Sequence, residues 1–202
     1  MCTTEIIAFS KANTYFERLN TCLLGLSVDS NASHLAWIYD IYYRTGIQIS
    51  FPIIADRSGE IARKYGMIAS DVSTTETVRN VFIIDPKGIV RLILVYPLNV
   101  GRSISEILRA VQALQVADLN KASTPANWIP NQPIIIPPPK TFEELLKRKE
   151  EMAKEQNGMS WYLNFRNPQE KLEDREPRKT IENKKINEFQ NFPQKNRIKN
   201  NT

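Results

Sequence analysis

One cysteine and two arginines carry the residue types that could cooperate in thiol chemistry. Cys2 stands directly ahead of an amphipathic helical pattern, where the first backbone N–H groups have no intrahelical acceptors and the helix macrodipole is positive. Such a position stabilises a thiolate: free cysteine titrates near ~8.5, and helix N-termini lower that to roughly 3.5–7.5. A thiol that reduces a peroxide also needs a fixed positive charge beside it, and donors that hold the peroxide and stabilise its leaving hydroxide. Arg79 and Arg102 are the candidates. Arg79 interrupts an otherwise apolar segment, where a charge is costly unless paired. Arg102 follows Gly101 between a strand end and a helix start. As bare residues the three have plainer readings: a start-of-chain cysteine, a strand-edge arginine with its head in water, and a surface cation.

The elements that must position them follow from periodicity. Ile6, Phe9, Ala12, Phe16 and Leu19 recur at three- and four-residue spacings, which predicts an amphipathic helix over 3–19. The apolar run 22–28 ends in Asp29-Ser30-Asn31 and reads as a buried strand feeding a helix over 33–44, which carries His34, the chain's single histidine. Residues 51–56 read as a second buried strand and 59–65 as a short helix. Segments 77–84 and 89–96 flank Asp85-Pro86-Lys87-Gly88, a turn that predicts an antiparallel hairpin. A last core helix is expected over 105–115. This order predicts an α/β layered architecture with a mixed sheet. From Thr124 the texture changes to prolines interleaved with Trp128 and Ile134-Ile135-Ile136, an extended arm. A charged helix follows over 141–155, with Thr141 and Glu144 forming a capping box.

Composition narrows the function classes. At 202 residues and 42% apolar content the chain can build one domain with a smaller appendage. Its longest apolar runs are strand-sized, below the ~20 residues that cross a bilayer, and no basic segment precedes an apolar one at the N-terminus, so no membrane span or secretory leader is expected. The default compartment is cytoplasmic. Two cysteines cannot make a disulfide scaffold. Cys22, opening an apolar run, reads as a buried small hydrophobe, with a resolving thiol as the alternative. A lone histidine has no metal-ligand partner, so no metal and no cofactor is expected, and His34 reads as structural or pocket-lining. Ten Lys/Arg against six Asp/Glu from Arg166 onward place four of the five net positive charges at this end of the chain. That mixed charge reads as a disordered basic tail over 167–202, and nucleic-acid binding is not expected.

Six segments in order resemble the peroxiredoxins, specifically the one-cysteine, peroxiredoxin 6 type. They are Cys2-Thr3-Thr4-Glu5; Leu26-Ser27-Val28-Asp29-Ser30; Ser33-His34-Leu35-Ala36-Trp37; Phe51-Pro52-Ile53-Ile54-Ala55-Asp56; Val78-Arg79 with Val81-Phe82-Ile83-Ile84-Asp85-Pro86; and Tyr96-Pro97 with Gly101-Arg102. Thr124-Pro125-Ala126-Asn127-Trp128 and the prolines at 137–139 extend the resemblance into that subfamily's C-terminal dimerisation arm. The resemblance implies a thioredoxin-like fold in residues 1–120, a dimerisation arm in 121–166 and homodimers or higher homo-oligomers. It implies a thiol peroxidase that reduces hydrogen peroxide and alkyl hydroperoxides. Cys2 would be the peroxidatic cysteine, oxidised to a sulfenic acid, and Arg79 the arginine beside its thiolate. Glu5 and Arg102 would be a supporting pair, with His34 in a recurrent helix signature.

Three departures accompany the match. The family sets a proline and a peroxide-contacting threonine ahead of the cysteine, where only Met1 stands here. Its opening strands come from that upstream sequence, so the expected sheet is N-terminally truncated, with apolar faces or edges uncovered. Many archaeal members carry a Cys-x-Asp-Trp-x-x-Cys segment in the arm, where this chain reads Gly158-Met159-Ser160-Trp161-Tyr162-Leu163-Asn164. Recycling would therefore need an external thiol, a thioredoxin-like protein or a small thiol. The alternative function is an impaired or inactive peroxiredoxin fragment acting only in association with itself or a paralogue.

Overall fold

The computed structural model describes residues 2–68, 79–155 and 158–169. Helix α1 (Cys2–Arg18) forms where the apolar three- and four-residue spacing runs. It is stopped by Asn20, whose left-handed φ of 51° lets the Thr21 N–H return to the Phe16 carbonyl. Strand β1 (Gly25–Ser27) leads into α2 (Asn31–Thr45). Ser30 caps α2 by accepting the Ser33 N–H, and Gly46 ends it in the left-handed region. Strand β2 (Ile53–Ala55) pairs in parallel with β1, and the short α3 (Glu60–Lys64) follows. Strands β3 (Arg79–Ile84) and β4 (Val90–Tyr96) form the antiparallel hairpin, turned at Gly88 with φ of 80°. Residues 77 and 78 of the expected first arm of that hairpin lie outside the described residues.

The strands assemble as a parallel β1–β2 pair and an antiparallel β3–β4 pair, two separate two-stranded sheets that together carry both strand directions. No residue of these four strands is fully buried. Ile93 and Val95, on the outward face of β4, are among the exposed apolar side chains. The other face is closed. Phe16 of α1 packs with Ile107 and Val111 of α4 (Ile104–Asn120), flanked by Phe9, Ala12, Leu19, Leu23, Val81, Ile83 and Leu94. Fully burying each such side chain stabilises the fold by about 1.5–3 kcal/mol.

Three expectations change. The last core helix runs to Asn120, five residues past its expected end, because Val116 finds a second core. That core holds Trp128 and Ile134, both fully buried against Val116 of the same chain. The arm is also more than an extended segment. Strands β5 (Ile134–Ile136), β6 (Gly158–Ser160) and β7 (Leu163–Arg166) form an antiparallel sheet in the order β5-β7-β6, with α5 (Phe142–Glu155) between β5 and β6. Asn120 ties it down, its carbonyl accepting from Arg166 and its side-chain oxygen from the Gln169 N–H. Third, Cys22 is exposed, and the strand begins only at Gly25. Leu23 alone turns inward to the α1–α4 core, leaving Cys22 and Leu24 facing out. Of the expected tail, residues 170–202 lie outside the described residues.

Candidate active site

Cys2 is the first residue of α1, exposed, with its thiol free. Glu5 lies three positions on, so the helix turns it to the same side. It is one of the few buried charges in the described chain, 5% exposed. A buried carboxylate needs partners, and Glu5 has them from two distant segments. Its Oε2 accepts from Arg79 Nη1 at 2.9 Å, and its Oε1 accepts the Arg102 backbone N–H at 2.8 Å. The Arg102 Nη1 also stands 3.7 Å from Oε2. Arg79, at the head of β3, donates further from Nε to the Leu98 carbonyl at 3.0 Å and from Nη1 to the Cys2 sulfur at 3.4 Å.

The plainer readings of the two arginines are thereby replaced. Arg79 is not a strand-edge residue with its head in water: its side chain is only 13% exposed and is fixed between β4's trailing loop, Glu5 and Cys2. Arg102 sits just ahead of Ser103, which caps α4 by accepting the Glu106 N–H, so the start of that helix places it. One acidic and two basic side chains converge, leaving one positive charge that a Cys2 thiolate would balance. The positive end of the α1 macrodipole adds to the same attraction.

His34 is 4% exposed and lies apart from this cluster in its bonding. The Asp29 carboxylate can only accept, so the Ser27 hydroxyl donates to it at 2.9 Å, and the His34 Nε2–H must donate to Ser27 Oγ at 2.6 Å. The proton is thus on Nε2, and the buried Nδ1 has no partner. A serine that accepts from its histidine is not activated by it, so this trio is no nucleophile–base pair. His34 instead fixes α2 against β1.

Two contacts at the site were not anticipated from the residues. One is the Leu98 carbonyl that holds Arg79, a backbone group that carries no residue-type signal. The other is a hydrogen bond at 3.2 Å from the Trp37 indole N–H to Thr3 Oγ1. Trp37 lies three residues from His34 on the inward stripe of α2, a spacing that did carry a signal.

Residues 1–93 match the AhpC/TSA family profile, and residues 113–151 match the C-terminal domain of 1-Cys peroxiredoxin. A peroxiredoxin 2 of Caldanaerobacter subterraneus is 51% identical over 166 residues, covering 82% of this chain and 75% of the relative. A peroxiredoxin of Aquifex aeolicus is 50% identical over 161 residues, covering 75% and 72%. Among solved structures, a yeast mitochondrial 1-Cys peroxiredoxin superposes with a TM-score of 0.70 at 39% identity, covering 82% of this chain and 79% of that one. A cysteine-to-serine variant of peroxiredoxin 6 of Arenicola marina gives 0.69 at 32% identity, covering 83% and 79%. With this thioredoxin-like architecture and with these relatives, the chain belongs to the peroxiredoxin family of thiol-dependent peroxidases.

Proposed function

We propose that this chain reduces hydrogen peroxide and alkyl hydroperoxides with Cys2 as the peroxidatic thiolate. The observation that carries the reading is the contact from Arg79 to the Cys2 sulfur at the head of α1. The thiolate attacks the terminal oxygen of the hydroperoxide. An S–O bond forms, the O–O bond breaks, and its electron pair leaves on the alkoxide or hydroxide, which takes up a proton. Cys2 is oxidised to a sulfenic acid as the peroxide is reduced to an alcohol or water. Arg79 favours negative charge on sulfur and stabilises the departing oxygen, while Glu5 and Arg102 hold Arg79 in place. His34 supports the pocket from behind, through α2.

Turnover needs an external thiol. It condenses with the sulfenic acid to a mixed disulfide, releasing water, and a second thiol frees Cys2. Support comes from the length of α1: its 17 residues span about 25 Å at ~1.5 Å per residue. Cys22 lies beyond the far end, whereas a disulfide requires Cα atoms within about 7 Å. A thioredoxin-like protein or a small cytoplasmic thiol would serve.

In this reading residues 1–120 are the peroxidase core, 121–166 a dimerisation arm and 167–202 a basic tail. The arm spends Trp128 and Ile134 on its own chain, but Phe142, Leu146, Trp161 and Tyr162 stay exposed, a surface suited to a second copy. The test is peroxide consumption with dithiothreitol as reductant. The wild-type chain should turn over, and Cys2→Ser should abolish it; consumption that survives Cys2→Ser, or a wild-type Cys2 no faster than free cysteine, would contradict the reading.

A further inference from the structure

The first turn of α1 carries the reacting sulfur, and its buried anchor is Glu5, three residues past Cys2. Cys2, Thr3 and Thr4 are all exposed, and burial along the helix begins at Glu5 and Ile6. Helix ends without burial fray, since their first N–H groups have no intrahelical acceptor. Cys2 must nevertheless stay within reach of Arg79, and reacting groups misplaced by about 1 Å can lose 10²-fold in rate.

Helix α2 offers a firmer support. Ser30 caps it, His34 pins its first turn to Ser27, and Ile41 buries its last turn. Trp37 lies between these anchors, on the same inward stripe. Its indole is a donor only, so the Thr3 hydroxyl oxygen must accept, and the bond joins two residues 34 positions apart. Thr3 is the immediate neighbour of Cys2.

We propose that Thr3 and Trp37 are positioning residues for the peroxidase reaction: their hydrogen bond clamps the first turn of α1 to α2 and thereby keeps the Cys2 sulfur against the Arg79 guanidinium. Neither residue touches the reacting atoms. The clamp acts through backbone position, and it rests on Cys2 being the peroxidatic thiol.

The experiment compares four variants of the full chain for the second-order rate of Cys2 with hydrogen peroxide, with far-UV circular dichroism as a folding control. Thr3→Val keeps the side chain's shape but removes the acceptor, and Trp37→Phe keeps a ring but removes the donor. Each should slow the reaction five- to thirtyfold. Thr3→Ser keeps the acceptor and should stay within about twofold of wild type, whereas a role in packing alone would spare the isosteric valine and penalise serine. The double variant Thr3→Val/Trp37→Phe should be no slower than the slower single, because both remove one bond. A wild-type rate no faster than free cysteine would overturn the peroxidatic reading and this one with it. A reactive wild type whose rate is unchanged in Thr3→Val and Trp37→Phe, or singles whose losses multiply in the double, would overturn the clamp alone.

Discussion

The chain's two cysteines sit at opposite ends of the same helix. Cys2 opens α1, and Cys22 follows four residues after it closes at Arg18. Both are free and both are exposed, so exposure does not distinguish them. Charge does. Cys2 stands at the positive end of the helix macrodipole, with Arg79 Nη1 at 3.4 Å from its sulfur. Cys22 lies past the carbonyl end of the helix, where the macrodipole is negative. Carbonyls near that end accept donors of their own, Leu19 from Gln115 Nε2 and Thr21 Oγ1 and Phe16 from the Thr21 N–H. In the function proposed above a fixed positive charge makes the peroxidatic nucleophile, and it is the Cys2 sulfur that the Arg79 guanidinium reaches.

The largest effect on that contrast should come from Arg79→Gln. It removes the charge beside Cys2 while leaving a donor of similar reach, and loss of one such oriented donor costs about 10²–10³-fold in rate. Stopped-flow measurement of the reaction with hydrogen peroxide checks it. The two thiols should then approach each other in reactivity. A rate within twofold of wild type would mean that the helix terminus alone activates Cys2.

A smaller and different effect is expected from Glu5→Gln. It leaves Arg79 and Arg102 facing each other without their shared carboxylate, which is 6% exposed, and breaking a buried pair from one side costs about 3–5 kcal/mol. Denaturant unfolding should therefore report a loss of stability of that order, with Arg79 released from its place beside the sulfur. Unchanged stability would show that the arginines are held by the Leu98 carbonyl and the backbone rather than by Glu5.

Much of this arrangement was written in local patterns. The spacing of Ile6, Phe9, Ala12, Phe16 and Leu19 describes the buried face of α1, Ser30 and Gly46 mark the ends of α2, and Gly88 marks the hairpin turn. Arg79 was conspicuous as a charge in an apolar strand, and its position predicted a partner that the structure supplies in Glu5, 74 residues away. What did not show is long-range or has no period. Strands of three or four residues such as β5 and β7 are too short to display alternation, so the sheet of the arm was invisible. The extra turn of α4 depends on Val116 meeting Trp128, a contact made only when the chain folds back. Cys22 was misread because an apolar run says nothing about which of its members face outward. Thr3 drew no attention because its partner is a single indole N–H on another helix.

The contrast between the two thiols can be measured in one sample. The full chain is exposed to one equivalent of hydrogen peroxide in the presence of a sulfenic-acid trap, and the label on each cysteine is quantified by peptide mass spectrometry. Label on Cys2 at more than ten times the level on Cys22 is the expected result. Equal labelling of the two, or preferential labelling of Cys22, would contradict the claim that the Arg79 end of α1 makes the reactive thiol.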